Sequence, residues 1–145
     1  MSDSVNITAY LEQWYSNIIN QIMINDVAPV MKDTMRKHIN EDVYSYDQQE
    51  YERRYGAGGL IDHGNIKLDF DPKRHELILY NTTPPAGKHT SNDPTILSQF
   101  IENGTCYGDV PERPYVANTR KELLDDGACL EAFKQGLVKR GLAAK

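Results

Sequence analysis

Cysteine is scarce in this chain. Its 145 residues include two, Cys106 and Cys129, far apart and in no CxxC spacing, which excludes a disulfide framework and a cysteine-rich zinc site. Both are expected to be reduced, small side chains, buried or half-buried. Histidine is also thinly spread: His38, His63, His75 and His89 fall on a helix end, a glycine loop, a turn and a flexible loop, and no spacing places two on one face. No metal and no other cofactor is expected. Long hydrophobic runs are missing, since nothing approaches the roughly 20 apolar residues of a membrane span. The opening MSDSVNITAY lacks the basic end and apolar stretch of a secretory signal. The expectation is a soluble protein made or assembled in the cytoplasm, with no membrane partner. Positive charge is in deficit, with a net charge of −5 and pI near 5.3. That argues against general nucleic-acid binding, because neutralising phosphates needs a basic surface.

What is present describes one folded domain. Hydrophobic content of 39 %, charged content of 26 % and mean hydropathy of −0.62 exclude both a disordered chain and a membrane protein, and the length suits a single core. Over 7–40 the apolar residues keep helical spacing: Leu11, Trp14, Ile18 and Ile22 form one row. Tyr15, Ile19, Met23, Val27, Met31, Met35 and Ile39 form another, and adjacent rows predict one broad buried face. The pattern crosses Pro29 in phase, which predicts one long helix bent where Pro29 removes the bond to the Asn25 carbonyl. The alternative is two helices with Asp26 capping the second. The basic tail, Lys134, Lys139, Arg140 and Lys145, is accounted for by cations in the last turn of a helix.

The segment 41–64 is a loop rich in Tyr, Arg and Gly. It holds Tyr44, Tyr46, Tyr51, Arg53, Arg54 and Tyr55, closed by Gly56, Gly58 and Gly59, and fits neither helical nor strand period. Tyr and Arg are common interface anchors, so these six are the candidate contact residues. The competing reading is a loop packed on its own domain, with Tyr44 and Tyr51 holding helix to sheet and Tyr46, Arg53 and Arg54 facing outward. Ile66, Leu68 and Phe70 then alternate with charged residues, Asp71-Pro72-Lys73-Arg74 supplies a turn, and the chain returns through Leu77, Ile78, Leu79 and Tyr80. This predicts a β-hairpin over 65–82, its return strand covered on both faces or internal to a larger sheet. A flexible loop follows over 83–93. A helical part runs over 94–141, starting at Asp93-Pro94, stopping at Asn103-Gly104, restarting at Arg113-Pro114 with Leu123 and Leu124 on its buried side, and broken at Asp126-Gly127. The fold class is α+β, a long N-terminal helix on a small antiparallel sheet with C-terminal helices. A third strand is expected, from 105–110 or from the Tyr-rich segment.

Catalytic patterns are weak. Asp62-His63 lacks a nucleophile to complete a relay, so Asp62 is read as capping a turn. Gly56-Ala57-Gly58-Gly59 lacks the strand, helix and GK[ST] of a phosphate cradle. Glu41-Asp42, Asp69-Asp71 and Asp125-Asp126 match no calcium loop and are read as surface charge. What remains describes a protein that touches other proteins.

The blocks HINEDVYSYDQQEYERRYGAGGLIDHGNI and FIENGTCYG…ERPYVANTRKELLDDGACLEAFKQGLVKRG resemble small structural proteins of long-tailed bacteriophages and prophages, of the tail-completion or head-to-tail joining type. The resemblance rests on Val43, Tyr44, Tyr51, Arg53, Arg54, Gly58, Gly59, Leu60, Asp62 and Asn65. It continues through Ile101 to Gly104, Arg113 to Tyr115, and Leu130, Lys134, Gly136, Leu137 and Gly141. Pro29 inside the first helix departs from that group. The resemblance implies a non-enzymatic virion subunit, assembled in the host bacterial cytoplasm. It would bind copies of itself in a closed ring such as a hexamer, and other virion proteins of the connector or tail. The competing expectations are a phage-encoded inhibitor or trigger of a host antiviral defence, and a hydrolase or metal enzyme using Asp62 and His63.

Overall fold

The computed structural model describes residues 6–45, 58–84, 94–104 and 112–142. One continuous helical run fills the first stretch: α1 (Ile7–Ile22), a π-helical turn (Met23–Val27), α2 (Ala28–His38) and a second π-helical turn (Ile39–Tyr44). Asn6 starts it, its side-chain oxygen accepting the Ala9 N–H at 3.1 Å. The run passes the expected end near residue 40 because Ile39 and Val43 extend the buried row into the core. Pro29 neither breaks the run nor starts a separately capped helix. The turn before it widens, with the Ala28 N–H bonded to the Met23 carbonyl, and this extra residue per turn accommodates the N–H that proline lacks. Asp26 caps nothing; α2 has no side-chain cap.

A row at steps of four overruns the 3.6-residue α-helical turn and would wind around the helix by about 40° per step. The two π-helical turns hold more residues per turn and offset that drift. They therefore let Val27, Met35, Ile39 and Val43, all buried, stay on one side.

The hairpin forms where alternation predicts it. β1 (Ile66–Asp71) pairs antiparallel with β2 (Glu76–Asn81), Ile66 opposite Asn81 and Asp71 opposite Glu76. In the turn the Asp71 carboxylate accepts the N–H groups of Lys73 and Arg74 at 2.9 and 3.3 Å, and His75 takes a left-handed φ of 52°. So Asp71 is a turn residue, not idle surface charge. Among the described residues the sheet has two strands; 105–110 and 46–57, the sources expected for a third, lie outside them. Among the described residues the return strand is covered on one face only. Leu77 and Leu79 pack inward while Ile78 is exposed, because no described layer lies over the outer face.

The C-terminal part contains α3 (Ile96–Asn103), α4 (Tyr115–Arg120), a third π-helical turn (Lys121–Asp125) and α5 (Ala128–Lys139). Helix α3 is entered through Thr95 at its N-cap, and Gly104, at φ 73°, ends it. Gly127, at φ 83°, makes the break before α5. Glu102 ties two elements together: its carboxylate oxygens accept the N–H groups of Val116 and Ala117, both at 2.8 Å, capping α4 from α3. Behind that cap the Tyr115 ring is wholly buried, its hydroxyl bonded to Ser98, and burial pushes its pKa up.

The core has two parts, both floored by the long helix. One gathers Met35, Ile39, Val43, Leu60, Ile61, Ile66 and Tyr115. The other gathers Ile22, Val27 and Ala132, with Met31, Leu77, Cys129 and Phe133 packed against them. The free Cys129 is half-buried, as expected; Cys106 lies outside the described residues. Helix α5 sits against the helical run at Gly136. A Cβ there would stand 2.6 Å from Ile22 Cγ2 and 2.9 Å from Asp26 Oδ2, so a larger side chain would force the helices apart. The cations of the tail do more than complement a helix end: Lys139 and Arg140 reach Asp26 at 3.0 and 2.8 Å. Lys145 lies outside the described residues.

Candidate interaction surface

Contacts along the long helix stop short of its beginning. The hairpin turn meets it at Asn20, whose amide donates to the Pro72 carbonyl at 3.2 Å and bonds His75 Nδ1 at 2.7 Å. Ile18 still packs on the core; N-terminal to it the apolar row has no cover among the described residues. Ile7, Tyr10, Leu11, Trp14 and Tyr15 are each between 39 and 68 % exposed, against the expectation that Leu11, Trp14 and Tyr15 lie on a buried face. Helix and pattern are as predicted; among the described residues no layer stands opposite. Trp14 and Tyr15 meet edge to face with centroids 5.0 Å apart. The single charge in ITAYLEQWYSNIINQIMIN is Glu12, so this arm is an apolar surface with almost no charged rim.

A second uncovered surface lies between β2, α2 and α5. Two adjoining hollows, about 540 and 310 Å³, share Met31, Leu77, Leu124 and Cys129. The larger also has Met23, Val27, Leu130 and Phe133 on its walls. The smaller takes Met35, Leu79 and Leu123 and ends at Arg120. Ile78, Leu124 and Leu130 are 51–59 % exposed around them, which corrects the placing of Leu124 on a buried side. Leu123 fills the core position and the next residue necessarily points away.

The polar clusters are structural. Asp62 accepts the N–H groups of Gly58 and Gly64 at 2.7 and 2.8 Å, which hold its carboxyl below the usual range. Both oxygens are engaged in closing a turn, as expected. Nearby, buried Asn81 donates to the Leu60 carbonyl at 2.8 Å and accepts the Thr83 N–H at 2.9 Å, while the Thr83 hydroxyl also reaches the Gly59 carbonyl at 3.2 Å. This network fastens the end of the hairpin to the glycine turn. On the far side His38 Nε2 and Lys37 Nζ both lie 2.7 Å from Glu122 Oε2. Those contacts lower the Glu122 pKa, Lys37 first and His38 second. Asp42 stands 3.3 Å from His38 Nδ1 without hydrogen-bond geometry, and accepts from Asn118 at 3.0 Å. The Glu41-Asp42 pair is thus partly a helix-to-helix tie.

Of the six contact residues named from the sequence, Tyr44 is described. It is half-buried and packs against the core cluster of Met35 and Tyr115, in keeping with a role in holding helix to sheet. Tyr46, Tyr51, Arg53, Arg54 and Tyr55 lie outside the described residues. The exposed arm and groove were missed by composition, but a length mismatch signals them. A helical run of about 55 Å at 1.5 Å per residue faces strands of six residues, about 20 Å long, so part of its apolar row has nothing to lie on.

Fold and surfaces together define a small α+β protein with a long, partly uncovered helix and structural polar clusters. The YomN family model matches residues 5–139. The chain belongs to the YomN family, which is of phage and prophage derivation. No curated protein and no solved structure matches it.

Proposed function

We propose that this phage-derived protein is a non-enzymatic virion subunit at the head-tail junction, a tail-completion or neck component that works by binding copies of itself and neighbouring connector or tail proteins. The observation that carries this reading is the uncovered apolar arm of α1. An exposed apolar face of this size on a small chain is typical of a surface that is covered by a partner. The resemblance of the VY…Y…RR…GG and IENG…RPY blocks to head-to-tail joining proteins supports the head-tail junction as its place in the particle. The polar residues that could suggest catalysis, Asp62 above all, are engaged in turns and helix ties.

The test is to purify particles from a lysogen producing an epitope-tagged chain, and to locate the tag by mass spectrometry and immunogold labelling. The reading expects the chain in complete virions, with label at the neck, and tailless heads when its gene is deleted. A chain absent from particles that instead co-purifies with one host protein would replace this reading with that of a host-directed inhibitor or trigger.

A further inference from the structure

We infer that the α1 arm of one copy docks in the β2/α2/α5 groove of the next, making a head-to-tail contact between identical chains. The inference deepens the self-assembly part of the proposed function, and its test does not depend on the virion.

The molecule carries two apolar surfaces that are separate and of different shape. One is a projecting helix face bearing Ile7, Leu11, Trp14 and Tyr15; the other is a hollow floored by Met31 and Leu77 and rimmed by Ile78, Leu124 and Leu130. A symmetric pairing of arm with arm covers the first and leaves the second open. Arm into groove covers both with one contact, and a contact between unlike patches repeats until it closes into a ring or continues as a filament.

Area supports the match. At about 200 Å² per aromatic side chain, the three half-exposed rings of the arm, Trp14 and Tyr15 with Tyr10 at the edge of the face, present roughly 300 Å². Ile7 and Leu11 bring the face to roughly 500 Å². Matched by an equal acceptor area, this is about 1,000 Å² in total, the lower bound of a specific interface. The hollows have the size of sites that take in several apolar groups. Charge agrees in sign: the arm's single charge is Glu12, and the groove ends at exposed Arg120, which has no ion pair among the described residues.

Two variants separate the surfaces. Leu11→Glu/Trp14→Glu spoils the arm, and Leu124→Glu/Leu130→Glu spoils the groove; all four residues are exposed, and circular dichroism checks that each variant folds. Native mass spectrometry should show wild type assembled and each variant monomeric. A one-to-one mixture should give a heterodimer of two chains and nothing larger, because one intact arm then meets one intact groove. The arm variant has no tryptophan, as Trp14 is the only one. The emission of the mixture therefore reports the docking arm alone, and should shift to the blue. A groove variant that still assembles as wild type does would overturn the inference in favour of arm-to-arm pairing. Monomeric wild type, or a mixture with no heterodimer, would also overturn it. Absence of the chain from virions would leave these results untouched.

Discussion

Ile7, Leu11 and Tyr15 near one end of the long helix, and Met35, Ile39 and Val43 near the other, belong to a single row at steps of four. The second set is buried against Leu60, Ile66 and Tyr115, and the first faces outward. The apolar spacing does not distinguish them. The difference lies in what stands opposite: a hairpin and the C-terminal helices over one half, no described layer over the other. An amphipathic pattern reports that a face will be covered, and not whether the cover comes from the same chain.

Substitutions in the two halves should therefore separate by destabilisation. The largest effect is expected at Ile39→Ala, which leaves a cavity in the closed half and should cost about 2–5 kcal/mol by urea unfolding. Loss of less than about 1 kcal/mol would mean that this half is as loosely covered as the arm. Next is Gly136→Ala. Its Cβ collides with Ile22 and Asp26, and forcing α5 outward should cost about 1–3 kcal/mol in the same measurement; an unchanged midpoint would show that α5 is not seated there.

A smaller effect is tied to pH. Hydrogen bonds from Lys139 and then Arg140 hold the Asp26 carboxyl below its ordinary 3.8, and its side chain is nearly buried. A lowered folded-state pKa contributes stability that is fully present above the unfolded value and disappears as pH falls through the folded one. Asp26→Asn should thus be less stable than wild type at neutral pH, with the gap closing below about pH 4. A gap independent of pH would remove the ion pair from the account. The smallest effect belongs to the open half: Leu11→Ala should change monomer stability by less than about 0.5 kcal/mol, and a loss like that of Ile39→Ala would erase the contrast.

The sequence was legible where local chemistry decides. The alternation of Ile66, Leu68 and Phe70, the Asp71-Pro72 turn, Gly104 and Gly127 at helix ends, and Asp62 as a turn cap all appear as read. Several residues behind the phage resemblance turn out to be folding devices. Glu102 caps α4, Tyr115 fills the core, Asn65 donates to the Gly59 carbonyl at 2.9 Å, and Gly136 admits α5. What was illegible depends on distant partners. The π-helical turn beside Pro29 needs the packing of the whole row to select it. Asp26 looks like a cap until α5 brings Lys139 and Arg140 to it. The burial of Ile78, Leu124 and Trp14 depended on layers that periodicity cannot count.

The central claim is that the open half of the helix is covered by another chain, and Trp14 tests it most directly because it is the only tryptophan and stands on that face. Its emission maximum should lie in the blue at concentrations where the protein assembles. It should move to the red on dilution with no change in far-ultraviolet circular dichroism. A red, water-exposed maximum at every concentration would contradict the account.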